Sequence, residues 1–214
     1  GQHSCIQLFY LDHGSFYPSM RLLVRLLGLL SLLMTSNVVF SYDITGDEKQ
    51  YIHDFSVYED ATNRYSVAEI DALHPNDWAQ HHQTALNLGY NSSTIWVRFH
   101  LSNTLDARIY RLLDINYPLL DFVSLYRKDQ TDTYRKIMQS GDGLPFKNRN
   151  IQHPNFVNVI EIEPGQGKDY LLSIKSNAPI QAEFIIWGLD EFQDYYRSVS
   201  SANFFYLGLI LSAS

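Results

Sequence analysis

Between Thr94 and Leu101 apolar and polar residues alternate: Ile95, Val97, Phe99 and Leu101 fall on one face, Trp96, Arg98 and His100 on the other. A period of two belongs to an extended strand with one buried face, and no helix sorts residues this way. The same rhythm recurs over Phe55–Tyr58, Ile109–Ile115, Phe122–Tyr126, Tyr134–Met138, Phe156–Ile162, Tyr170–Ile174 and Ile180–Trp187. Turn-forming clusters separate these runs, among them Leu88-Gly89-Tyr90-Asn91-Ser92, Asn116-Tyr117-Pro118, Gly141-Asp142-Gly143 and Glu163-Pro164-Gly165-Gln166-Gly167. About eight short strands so spaced, with no helices interleaved, predict an all-β protein built as an antiparallel β-sandwich or jelly roll. Helix is expected only at the edges, as a short turn near Asp71 to Gln83 and a segment from Asp190 to Ser201.

Two apolar segments flank this region. Arg21 and Arg25 precede an apolar run that reaches Met34, followed by a polar stretch and a small residue at Ser41. This is the layout of a secretory signal peptide over 20–41, and the run is short beside the roughly 20 apolar residues of a membrane span. Residues 1–19 then read as non-native upstream sequence. At the other end, 189–201 reads as a linker helix, and 202–214 as the truncated start of a first transmembrane helix entered from the exported side. Tyr195, Tyr196 and Arg197 are of the types that anchor a span at the headgroup level. The sandwich is expected over 42–188.

Composition narrows the function. Hydrophobic residues form 45% of the chain and charged residues 18%, which suits a packed core and argues against disorder. The formal charge of −7 has the wrong sign for gripping a phosphate backbone, so nucleic acid is not expected as a partner. The single cysteine, Cys5, excludes an internal disulfide framework.

Catalytic chemistry finds little support. Glu161 and Glu163 share a strand face but sit at a strand end beside Pro164, where a solvated edge explains them; no thiol nucleophile or serine elbow accompanies them. His74, His81 and His82 read as solvated histidines, not as metal ligands. No enzyme activity, metal or cofactor is expected. For binding, Trp96, Arg98 and His100 offer an aromatic platform with directed polar groups, as a sugar requires. Against this stands a structural reading in which Arg98 stacks on a neighbouring aromatic or pairs with a buried carboxylate such as Asp114 or Asp142. Asp142 and Arg149 flank a loop and are further ligand candidates. Trp187, at the end of the last strand, is a candidate for signal transmission together with Tyr195, Tyr196 and Arg197.

An ordered series of motifs adds a resemblance. Leu86-Asn87-Leu88-Gly89, Ser93-Thr94-Ile95-Trp96-Val97-Arg98-Phe99, Leu113-Asp114-Ile115-Asn116-Tyr117-Pro118-Leu119-Leu120-Asp121, Ser140-Gly141-Asp142-Gly143-Leu144-Pro145-Phe146 with Arg149, and His153 with Asn155-Phe156-Val157 follow one another. Over about Phe55 to Trp187 the chain resembles the type-2 extracellular sensing domain of bacterial seven-transmembrane receptors with diverse intracellular signalling modules. Pro154 stands where that pattern has a basic residue. The resemblance implies a jelly roll similar to carbohydrate-binding modules, a small-molecule or glycan ligand, and a preceding signal peptide. It also implies seven following helices that feed a cytoplasmic diguanylate cyclase or histidine kinase. The domain would lie in the periplasm, tied to the bacterial inner membrane through its C-terminal helix, with a second copy of the chain as a candidate partner. The competing expectation is a secreted or tethered carbohydrate-binding module with no signalling role.

Overall fold

The computed structural model describes residues 41–199. The upstream segment 1–19, the signal peptide apart from Ser41, and the start of the transmembrane helix at 202–214 lie outside them. Among the described residues twelve strands are formed: β1 (Ser41–Ile44), β2 (Gln50–Tyr51), β3 (Phe55–Asp60), β4 (Ala79–His81), β5 (Ala85–Gly89), β6 (Thr94–Asn103), β7 (Ile109–Ile115), β8 (Phe122–Lys128), β9 (Tyr134–Ser140), β10 (Phe156–Ile162), β11 (Gly167–Lys175) and β12 (Ile180–Trp187). They build two sheets. The seven-stranded sheet runs β4-β3-β6-β11-β8-β9, with β1 also on β6. The five-stranded sheet runs β10-β7-β12-β2, and β5 pairs with β12 beside β2. From β5 to β8 and from β9 to β12 consecutive strands change sheets, as in a jelly roll. The β1–β6 pair is parallel; the other pairings are antiparallel.

The faces follow the alternation. Ile95, Val97, Phe99 and Leu101 of β6 are buried between the sheets with Leu113 and Ile115 of β7, Leu125 of β8, Tyr170 and Leu172 of β11, and Phe184 and Ile186 of β12. Phe99 stacks on Tyr170 with ring centroids 5.6 Å apart, and Phe55 meets Phe184 edge-on at 5.2 Å. Burial of such side chains is the main stabilising contribution of the fold.

The stretch expected as one turn over Asp71 to Gln83 is more divided. A helix covers Val67–Asp71, a 3-10 turn Pro75–Asp77, and β4 follows against β3. Ser66 begins the helix because it and Glu69 form a capping box: Glu69 N–H donates to Ser66 Oγ at 3.3 Å and Ser66 N–H to Glu69 Oε2 at 2.7 Å. Pro75 then breaks any continuation and occupies the start of the 3-10 turn, where its missing N–H costs nothing. After β12 the chain turns helical over 189–199. Among the described residues no helix is long and apolar enough to cross a membrane.

Candidate functional site

Trp96, Arg98 and His100 share the outer face of the seven-stranded sheet, and the excursion between β3 and β4 folds across it. Ile70 and Trp78 from that excursion pack on Trp96 and Leu171, ringed by Tyr58, Tyr126 and Tyr134. Trp96 is therefore covered, 4% exposed. The Arg98 guanidinium lies 4.4 Å from the Trp78 ring centre, a cation–π contact. Desolvation lowers its pKa, opposed by the charges of Tyr134, Asp169 and Asp71. Asp114, weighed as a carboxylate partner for Arg98, stands in β7 of the other sheet, and Asp142 stands in the loop beside Arg149; Arg98 stacks on Trp78 instead. His100 Nδ1 is 2.7 Å from Asp169 Oδ1 across the β6–β11 register, and that hydrogen bond holds the Asp169 carboxyl below its ordinary value.

The loop after β9 is built by its glycine. Gly141 has φ +146°, and a side chain there would run into the Asp121 carbonyl. The Asp142 amide donates to Leu120 O at 2.8 Å and the Gly143 amide to Asp121 O at 3.1 Å, which closes the loop on the β7–β8 connection. The Asp142 side chain is exposed. Arg149 is held between the rings of Phe146 and Phe156, at 4.7 and 4.8 Å, and its Nη1 donates to His153 O at 2.5 Å and to Pro154 O. Burial lowers the Arg149 pKa, against the pull of Asp142. Arg149 thus ties the loop to the segment that enters β10.

That segment leads to a second centre. Trp187 ends β12 opposite Leu112, and the following helix lays Phe192, Tyr195 and Tyr196 against it, with centroids 5.8, 5.0 and 6.4 Å away. His153 meets Tyr196 edge-on at 4.1 Å and Phe192 at 5.2 Å. Lys49 places its ammonium 4.7 Å from the rings of Tyr51 and Trp187 and 5.5 Å from that of Tyr195. Beneath this seam Asp114 is fully buried. Its Oδ2 accepts from Trp187 Nε1 at 3.3 Å and Asn155 Nδ2 at 3.4 Å, while Oδ1 has no partner among the described residues. Asn155 Nδ2 also reaches Asn116 Oδ1 at 2.8 Å and Tyr196 Oη at 3.2 Å.

Burial pushes the Asp114 pKa up to about 6, although its hydrogen bonds and Lys49 pull the other way. Burial, then the Asp114 charge, raises Tyr196. His153 is lowered by burial and by the Arg149 cation. The structure therefore brings Trp187, Tyr195 and Tyr196 together, and Arg149 joins them through His153. Arg197 stays outside, exposed, 3.8 Å from Asp194. Asp114, Asn155 and Lys49 complete the seam. Of these, Asp114 carried a signal in the sequence as a polar position within the Ile109–Ile115 strand pattern, and Asn155 only as a member of the motif that precedes the Phe156–Ile162 strand.

The remaining polar residues have local tasks. Arg108 bridges Glu161 and Glu163 at 2.9 and 2.6 Å on the surface. His74 caps the 3-10 turn and His82 pairs with Asp54 at 2.8 Å. Among the described residues no three potential ligands gather around one metal position.

One concavity escaped the sequence. Where the edge formed by β3 and β4 faces β5 of the opposite sheet, an open cleft of about 400 Å³ is lined by Val57, Leu86, Leu88, Tyr58, Glu59, Asp77 and His81. Glu59 follows Val57 and Phe55 by two and four residues along β3, and at this end of the strand its side chain is exposed. Its Oε1 accepts from Ser93 Oγ at 2.8 Å and Asn91 Nδ2 at 3.1 Å. Asp77 Oδ2 accepts from the His74 amide at 3.0 Å. His81 stacks on Phe55 at 4.7 Å, with Nε2 donating to Ala85 O at 3.1 Å.

Comparison with known proteins gives one family. The family described as 7TMR-DISM extracellular 2 matches residues 52–188, from the end of β2 to the residue before the final helix. No curated protein matches the chain.

Proposed function

The chain belongs to the 7TMR-DISM extracellular 2 family, extracellular sensing domains of seven-transmembrane receptors, and from that premise we propose that it is the periplasmic ligand-sensing part of a bacterial inner-membrane receptor. Its ligand is a carbohydrate or a related small molecule. The occupied state is passed through the helix at 189–199 into a seven-helix membrane module and on to a cytoplasmic diguanylate cyclase or histidine kinase.

The observation that carries this reading is the seam under that helix. A passive tether needs no buried contacts with the domain it holds, whereas here three aromatic residues of the helix close over Trp187 and a buried carboxyl. A ligand shifts a receptor only if it binds two states with different affinity, and a docked, displaceable helix supplies two such states. The loop carrying Asp142 and Arg149 reaches the same seam through His153, which supports a route from loop to helix. Arg98 and His100, only partly covered, remain ligand candidates on the opposite sheet.

The test is Trp187→Leu in the full receptor, with ligand affinity and signalling output measured side by side. Retained affinity with lost or constitutive output is expected. Wild-type output from the variant would remove the seam from the signalling route.

A further inference from the structure

At the seam one ammonium group is caged by rings and bonded to nothing. Lys49 Nζ stands 4.7 Å from the ring centres of Tyr51 and Trp187 and 5.5 Å from that of Tyr195, all within the roughly 6 Å reach of a cation–π contact. The rings come from β2, the end of β12 and the final helix. Beneath them the Asp114 carboxyl is fully buried, its Oδ1 has no partner among the described residues, and it feels the Lys49 charge. Arg108, Lys128 and Arg135 are each paired with carboxylates. Lys49, by contrast, makes no hydrogen bond or ion pair among the described residues, although a primary ammonium carries three donors. Aromatic faces satisfy the charge of such a group but leave its N–H donors unfilled. A methylated ammonium brings the same charge with no donors to fill, and it is the cation that aromatic cages suit best. The cage is open on one side, because Lys49 and Tyr51 are half-buried and Tyr195 is 45% exposed. Lys49 belongs to the connection between β1 and β2, so its side chain can swing out without breaking a strand pairing.

We propose that Tyr51, Trp187 and Tyr195 form a binding site for a small molecule bearing a trimethylammonium group, and that Lys49 is its resident stand-in, displaced when the ligand enters. The methyl groups rest on the three rings, and the ligand's charge replaces that of Lys49 above Asp114. The site is distinct from the Arg98 and Arg149 candidates for a sugar and does not depend on them. Because Tyr195 belongs to the helix, occupation of the cage bears directly on helix docking; this consequence, unlike the site itself, rests on the sensor reading above.

Isothermal titration calorimetry of the full chain with choline, ethanolamine and dimethylbutanol tests this. Ethanolamine keeps the charge without the methyl groups, and dimethylbutanol, with carbon in place of nitrogen, keeps the shape without the charge. Choline should bind about tenfold more tightly than either. Tyr51→Leu should weaken choline about fivefold, whereas Lys49→Ala should tighten it about fivefold, because no ammonium then has to be displaced. Melting temperatures separate a lost site from a lost fold: choline should raise the midpoint of Lys49→Ala by more than that of wild type. Equal binding of choline and dimethylbutanol would overturn the inference. So would a choline affinity that Lys49→Ala leaves unchanged, or the absence of choline binding by both wild type and Lys49→Ala. Binding in the expected pattern with no change in output of the full receptor would uphold the cage and overturn the seam as a signalling route instead.

Discussion

Replacing Asp114 by Asn probes the seam at its centre. An aspartate whose pKa rises from 3.8 to about 6 on folding binds its proton more tightly in the folded chain. Protonation then favours the fold: stability is greatest where Asp114 is neutral, falls as pH climbs from about 4 to about 6, and stays level above that. The penalty of carrying the buried charge at pH 7.5 is about 3 kcal/mol. Asn removes it and can still accept from Trp187 Nε1 and Asn155, but its amide NH2 would replace the unpartnered Oδ1, and an unpaired buried donor costs about 1–2 kcal/mol. The variant should therefore be more stable than wild type at pH 7.5 by about 1–2 kcal/mol and less stable at pH 4 by a similar amount. For a chain of this size that is a change of sign spanning several degrees in melting temperature. Differential scanning calorimetry across this pH range reads it. Asp169, held down by His100, contributes in the opposite direction in both proteins and cancels in the difference. A difference that does not vary with pH would refute the reasoning, because the charge on Asp114 would then carry no cost.

Two further substitutions test the scaffold. Val97→Asp puts a lone charge at a position with no solvent exposure and should abolish cooperative unfolding by circular dichroism; an unchanged melting temperature would reverse the faces assigned to β6. Arg149→Ala removes two bonds to main-chain carbonyls and the packing between Phe146 and Phe156, and should lower stability by about 1–3 kcal/mol in urea titration, whereas an unchanged midpoint would place Arg149 outside the scaffold.

The long strands were legible because burial on one face writes itself into a period of two. Ile109–Ile115, Phe156–Ile162 and Ile180–Trp187 have the bounds their alternation predicts. β1, β2 and β4 were not legible, being two to four residues long and made by pairing with neighbours, with too few positions to show a period. The outer face of β6 could be read as polar but not as covered. Trp78 reaches Trp96 and Arg98 only because the capping box at Ser66 and the break at Pro75 send the excursion back over the sheet. The stacking of Arg98 on an aromatic was among the readings of the sequence; the identity of that aromatic was not. The seam gathers Lys49, Asp114, His153, Trp187 and Tyr196 from well-separated stretches of chain, and the cleft joins edges of two sheets. Such proximity is a property of topology, which local spacing does not encode.

The join between β12 and the final helix has a mechanical consequence. β12 is hydrogen-bonded along one side to β7 and along the other to β5 and β2, and at Gly188 the chain is clasped by a bond to the Asp47 carbonyl, with no room there for a side chain. A pull on the chain beyond residue 199 loads the helix contacts one after another, so Tyr196, Tyr195 and Phe192 peel away at low force. The same pull reaches β12 in shear, where the bonds on both flanks must give way together. Tension applied from the C-terminal side thus undocks the helix before it distorts the sandwich, and the domain yields at its seam while its core remains whole.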